Sequence, residues 1–134
     1  MIERLETDEW DKRNNVGILI ENPSLFEIVD KLNKLDGVKL DTVTLYKNTD
    51  EFLAVGGGNN GKYVLSIITI EKTFELSNEG FGENRVLISV GGQDGEFPEY
   101  MIVNKATVEQ AVKYYYENGL PDPDLNWRSW DGSC

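Results

Sequence analysis

Apolar residues first fall into a clear rhythm at Leu25, Ile28, Val29, Leu32 and Leu35. Residues three and four apart share one face of a helix, so the spacing predicts an amphipathic helix over about 23–35. Asn22 followed by Pro23 gives a cap and first-turn signal at one end, and Gly37 gives a stop at the other. The chain before it is less decided. Ile2 to Trp10 fits a strand or a frayed helix, while Val16 to Ile20 is a short apolar run that reads as a strand.

Beyond the helix the residues turn to β-formers, from Thr42 to Tyr46 and from Phe52 to Val55, and Lys62 to Glu71 (KYVLSIITIE) is the strongest strand signal of all. Asn59-Asn60-Gly61 lies between the last two and predicts a hairpin turn. Thr73 to Leu76 and Arg85 to Val90 read as further strands, separated by the glycine- and asparagine-rich stretch Asn78 to Asn84, and Glu99 to Val103 completes the set. A second helix is predicted over about 108–118, where Thr107 and Gln110 form a capping box, Val108, Ala111, Val112 and Tyr115 give the apolar face, and Gly119 supplies the stop. Strands enclosed between two helices predict an α+β fold with a mostly antiparallel sheet.

Length and composition sharpen this. A chain of 134 residues, 40% hydrophobic and 28% charged, suits one domain with one core, and no linker divides it. The net charge of −11, from 24 acidic and 13 basic side chains, sets up a field that repels nucleic acid and anionic headgroups and attracts basic proteins, although acidity also serves solubility alone. Cys134 is the single cysteine, which excludes an intramolecular disulfide and a thiolate metal cage. No run approaches the roughly 20 apolar residues of a membrane-spanning helix, and the acidic stretch Met1 to Arg13 is unlike a signal peptide, so a cytoplasmic location is expected.

The chemistry is defined first by what is missing. With no histidine, the commonest general base, proton shuttle and metal ligand are all absent, and neither metal nor cofactor is expected. Carboxylate pairs remain, but so many acidic residues produce pairs by chance. Gly56 to Lys62 (GGGNNGK) has the spacing of a phosphate-binding loop, yet Tyr63 follows where Ser or Thr would hold magnesium, and a β-rich run follows where a helix would face its amides to the phosphate. A glycine-rich hairpin turn is the better reading.

The C-terminal third carries a set of motifs in order: Val90-Gly91-Gly92-Gln93-Asp94-Gly95-Glu96-Phe97-Pro98, the capped helix, Gly119-Leu120-Pro121, and Leu125-Asn126-Trp127. Their order and spacing resemble the Imm one family of polymorphic-toxin immunity proteins, whose members tend to show a glycine pair, a helix near the C-terminus and a closing segment of proline, leucine and tryptophan. The resemblance is clearest over residues 85 to 130. Leu53 to Gly58 and Tyr63 to Ile70 correspond more weakly to the family's paired strands, and the first 40 residues are unmatched. The resemblance implies a single immunity-type domain over residues 1–134, a cytoplasmic antidote that is not an enzyme, whose partner is a cognate toxin. Several relatives are paired with nucleic-acid deaminases, and such toxins carry Lys and Arg around their active sites, a surface an acidic protein can occupy.

Candidate toxin-binding residues follow from charge and from the tendency of loops to carry function. They are Asp94 and Glu96 in a loop from Gly92 to Pro98, Glu79 and Glu83 in the loop from Asn78 to Asn84, and Trp130 near the end of the chain. Trp127 is expected in the core. Tyr114 to Tyr116 cannot all face one core, so at least one is expected to be exposed. Two other readings remain open, an acidic module for a different basic protein and a small carboxylate-based enzyme.

Overall fold

The computed structural model describes residues 2–78, 82 and 84–131. In chain order it contains β1 (Arg4–Asp11), β2 (Asn14–Asn15), β3 (Leu19–Glu21), α1 (Leu25–Lys34), β4 (Leu40–Tyr46) and β5 (Phe52–Gly57). A 3-10 turn at Asn59–Gly61 leads to β6 (Tyr63–Ile68), β7 (Lys72–Leu76), β8 (Arg85–Val90) and β9 (Gln93–Pro98); a second at Glu99–Met101 leads to α2 (Lys105–Asn118) and β10 (Trp127–Asp131).

The main sheet runs β10-β7-β6-β5-β4-β1, and the short strands β2 and β3 both pair with the outer edge of β1. Every pairing is antiparallel, and β8 and β9 form a separate hairpin. The fold is therefore α+β with a mostly antiparallel sheet and two helices, as the pattern predicts.

Alternation along each strand sends Leu5, Val43, Leu45, Leu53, Val55, Leu65, Ile67 and Leu76 to one face of the sheet, where all are buried. Both helices cover that face. Ile28 and Leu32 of α1, with Val108, Ala111, Val112 and Tyr115 of α2, belong to the same core cluster. Trp127 is half-buried against it, its indole N–H donating to the Asp122 carbonyl at 2.9 Å. Of the three successive tyrosines, Tyr115 is buried and its neighbours are partly exposed.

Several boundaries differ from expectation, each for a local reason. Helix α1 starts at Leu25 because Ser24 caps it: Ser24 Oγ accepts from the Glu27 N–H, and the Glu27 carboxylate accepts from the Ser24 N–H. Asn22 instead lies in a turn at φ 49°. The cap of helix α2 lies three residues before the expected one at Thr107, since Asn104 caps it by accepting from the Thr107 N–H at 2.9 Å. Gln110 is thereby freed to bond Asp122. Glu99 to Val103 is a 3-10 turn and one isolated bridge, Val103 with Tyr63, where a strand was expected. The strong strand signal at Lys62 to Glu71 yields only β6, because Thr69 closes a turn onto Lys72. The expected loop Gly92 to Pro98 is mostly β9, paired along its whole length with β8. Ile2 to Trp10 is resolved as strand, Val16 to Ile20 contributes only its end to β3, and β10 was not anticipated.

Candidate functional site

The sheet has a second face, which neither helix covers. Register fixes what stands on it. One row across the strands reads Glu21, Arg4, Tyr46, Phe52, Ile68, Thr73 and Trp130; the next reads Leu19, Glu6, Thr44, Ala54, Ser66, Glu75 and Arg128. A third holds Asp8, Thr42, Gly56 and Val64. Cross-strand neighbours of this kind pack side by side. The Tyr46 and Phe52 ring centroids lie 5.3 Å apart, and the Arg4 guanidinium sits 4.0 Å from the Tyr46 ring centroid. Tyr46, Phe52 and Ile68 are half-buried by one another, while Trp130 on the edge strand keeps 44% of its surface exposed and Leu19 at the opposite edge 55%.

The charges on this face are unevenly engaged. Arg4 pairs with Glu6 at 2.5 Å, and the Arg128 guanidinium lies 3.8 Å from the centre of the Tyr100 ring. Glu75 stands directly opposite Arg128 in the register, yet forms no ion pair among the described residues. Burial pushes the Glu75 carboxyl above its ordinary value, and the neighbouring Arg128 offsets this only in part. The face thus presents a row of apolar and aromatic groups beside a partly desolvated carboxylate whose desolvation Arg128 offsets only in part. Such a group stabilises an incoming guanidinium or ammonium.

One end of the face is closed by the β8–β9 hairpin. A bulge sets this up: Asp8 pairs with Thr42 and Glu9 with Leu40, leaving Asp41 as the extra residue. The bulge turns the buried Asp41 carboxylate toward the hairpin's own turn, where it accepts from Gly92 N at 2.7 Å and from Gly91 N at 3.2 Å, with Thr42 Oγ1 also accepting from Gly91 N at 3.0 Å. The two glycines meet two demands there. Both have positive φ, and a Cβ on Gly92 would lie 2.6 Å from the Trp10 ring. Val90 and Ile88 of β8 fill the space above Gly56 and Gly57, where a Cβ would come within 2.6 Å and 2.8 Å of a neighbouring atom.

The acidic residues expected to mark the site are scattered relative to this face. Asp94 and Glu96 are exposed on β9 rather than in a loop, and the Asp94 carboxylate accepts from Ser89 Oγ at 2.5 Å. Glu79 and Glu83 lie outside the described residues. Trp130 does stand on the open face, at its β10 edge. The row of Tyr46, Phe52 and Ile68 was not singled out beforehand, although the sequence carries a signal for it. In Leu45-Tyr46, Phe52-Leu53 and Ile67-Ile68 apolar residues are consecutive, so both faces of these strands are apolar.

The GGGNNGK segment spans the end of β5 and the β5–β6 connection, with Gly57, Gly58, Asn60 and Gly61 at positive φ and β6 following it. Among the described residues no three or more of Cys, Asp and Glu are gathered to hold a metal ion, and no helix is long and apolar enough to cross a membrane. The chain matches no protein-family model and no curated protein.

Proposed function

We propose that this chain is an immunity protein that binds and neutralises a cognate bacterial toxin in the cytoplasm of the producing cell, with the open sheet face as its docking surface. The observation that carries this reading is the row Tyr46, Phe52, Ile68 and Trp130 beside the unpaired Glu75 on a face without a helix layer. Aromatic side chains are enriched at the energetic centre of protein interfaces. A net charge of −11 favours a basic partner, and the likeness of residues 85 to 130 to Imm one proteins, several of which are paired with nucleic-acid deaminases, supports a toxin of that class. Such a toxin needs a cationic surface for its substrate, and a protein seated there blocks it without catalysing anything.

The test is co-expression with each candidate toxin encoded by a neighbouring gene. Growth is restored by the unmodified protein and by Lys62→Ala, and restored poorly by a Phe52→Ala, Ile68→Ala double variant whose melting curve shows that it remains folded. Failure to rescue from any neighbouring-gene toxin overturns the immunity reading. Rescue that survives the double variant but not Asp94→Lys with Glu96→Lys moves the docking surface to the hairpin.

A further inference from the structure

The two edges of the main sheet are built differently. At one end β1 is covered by β2 and β3, two and three residues long. Such short pieces are how sheets blunt an edge against further pairing. At the other end β10 pairs with β7 through five consecutive residues, Trp127 with Leu76 to Asp131 with Lys72, without a bulge, and no described strand lies on its outer side. Its sequence, Trp127-Arg128-Ser129-Trp130-Asp131, has no proline and no lysine, and Arg128 to Asp131 are all exposed. Apart from the charges of Arg128 and Asp131, the described residues give this edge no proline, bulge or covering strand.

The strand is also complementary to itself. Laid antiparallel on a second copy with Ser129 on the two-fold axis, it sets Arg128 opposite Trp130 of the other copy and Trp127 opposite Asp131. Arg128 and Trp130 both stand on the open face, so each side of the axis gains a guanidinium beside an indole. Pairing about Ser129 keeps both helix layers on the same side and joins the two open faces into one surface. The strand carries one cation and one anion, so it is locally neutral on a molecule of charge −11.

We propose that the chain forms a two-fold symmetric dimer through β10, two sheets joining edge to edge about Ser129. Isologous pairing of this kind closes on itself and leaves no free edge for a third copy. The contact goes beyond the toxin-binding reading and does not depend on it.

The register gives a direct test on the full chain, in a Cys134→Ser background. Ser129→Cys places the two thiols directly opposite, at a Cα separation of about 4.5–5.5 Å, within the span of a disulfide. This variant cross-links under mild oxidation much faster than Arg128→Cys. Light scattering behind size exclusion shows a mass that rises with concentration toward twice the monomer, and raising the salt strengthens the dimer because it screens the repulsion between two acidic copies. Trp130→Lys, which sets a like charge against Arg128, weakens the dimer by about tenfold, whereas Trp130→Glu retains it. Matching melting curves confirm that both variants fold. A monomer at every concentration and salt overturns the proposal. So does equal cross-linking of the two cysteine variants, or equal weakening by lysine and glutamate.

Discussion

The two faces of one sheet follow different rules although the same strands build both. On the helix-covered face nearly every inward residue is buried aliphatic, and Leu5, Val43, Leu45, Leu53 and Ile67 show no exposed surface. On the open face, away from the end that the β8–β9 hairpin closes, the side chains are a mixture of aromatic, hydroxyl and charged groups, most of them partly exposed. Burial against helices stabilises the fold, and its cost when disturbed is felt throughout. A face without a cover contributes little to folding and is free to be selected for what docks there. Adjacent residues therefore serve opposite ends, and neighbouring substitutions separate them.

Leu53 and Phe52 make the sharpest pair. Leu53→Ala removes a fully buried side chain from the central strand β5 and costs about 2–5 kcal/mol, read as a lower urea midpoint with an unchanged slope. Phe52→Ala, one residue away on the open face, costs about 1 kcal/mol of stability or less. On the proposed immunity reading its toll falls on toxin binding, where an aromatic anchor is worth about 2 kcal/mol, or close to thirtyfold in Kd. Equal stability losses at the two positions would remove the distinction between the faces.

The hairpin closure tests where the open face ends. Asp41→Ala takes the acceptor away from the Gly91 and Gly92 N–H groups and is expected to cost about 2–3 kcal/mol, since bonds to a carboxylate are among the stronger ones. Hydrogen exchange should rise first in β8 and β9, while β5 and β6 stay protected. If exchange rises evenly across the sheet, the hairpin is part of the core unit rather than a flap fastened to it.

Within the covered face one group contradicts the aliphatic rule. Tyr115 is buried with its hydroxyl unpartnered among the described residues, and burial, with the charge of Glu51, pushes its pKa up to about 12. Tyr115→Phe should raise stability by up to about 1 kcal/mol by removing an unsatisfied polar atom. The sign of the pH dependence follows. Because the folded value lies above the ordinary 10.0, stability is intact below pH 10 and lost as pH climbs through about 12. The phenylalanine variant should lack that part of the alkaline loss.

Much of the covered face was legible in the sequence, because a single dominant rhythm set it. The spacing of Leu25, Ile28 and Leu32 gave α1, and β-formers flanking Asn59-Asn60-Gly61 gave the β5–β6 hairpin. Caps were misread by a few residues, since Ser24 with Glu27 and Asn22 with Pro23 compete as start signals and only packing decides between them. Strands β9 and β10 were missed because Gln93-Asp94-Gly95-Glu96 and Arg128-Ser129 are poor β-formers held in place by their partners β8 and β7. The open face escaped for a related reason. It exists only through register, which brings Tyr46, Phe52, Ile68 and Trp130 together from four strands, and no local pattern records that.

The smallest expected effect on stability, and the most specific one on binding, is at Glu75. Its folded-state pKa is raised chiefly by burial, with Arg128 acting the other way, so its contribution to stability is complete below the ordinary glutamate range and is lost as pH rises through the folded value. At neutral pH the charged form is thus a slight burden on the free protein, and Glu75→Gln should melt at the same temperature or slightly higher. Against the proposed toxin partner the sign reverses. A carboxylate waiting for a cation is neutralised by the substitution, so dissociation should accelerate, whereas the long-range attraction from the remaining acidic residues keeps the association rate nearly unchanged. A salt series separates the two terms: association of both proteins should slow as the Debye length falls from roughly 30 Å at 0.01 M to about 3 Å at 1 M, while the difference in dissociation persists because a buried pair is screened far less. Asp94→Lys with Glu96→Lys, exposed on β9, should show the opposite signature, slower association and unaltered dissociation. If Glu75→Gln leaves dissociation unchanged while the hairpin variant accelerates it, the partner's cation is met by the hairpin and the open face is not the surface that holds the toxin.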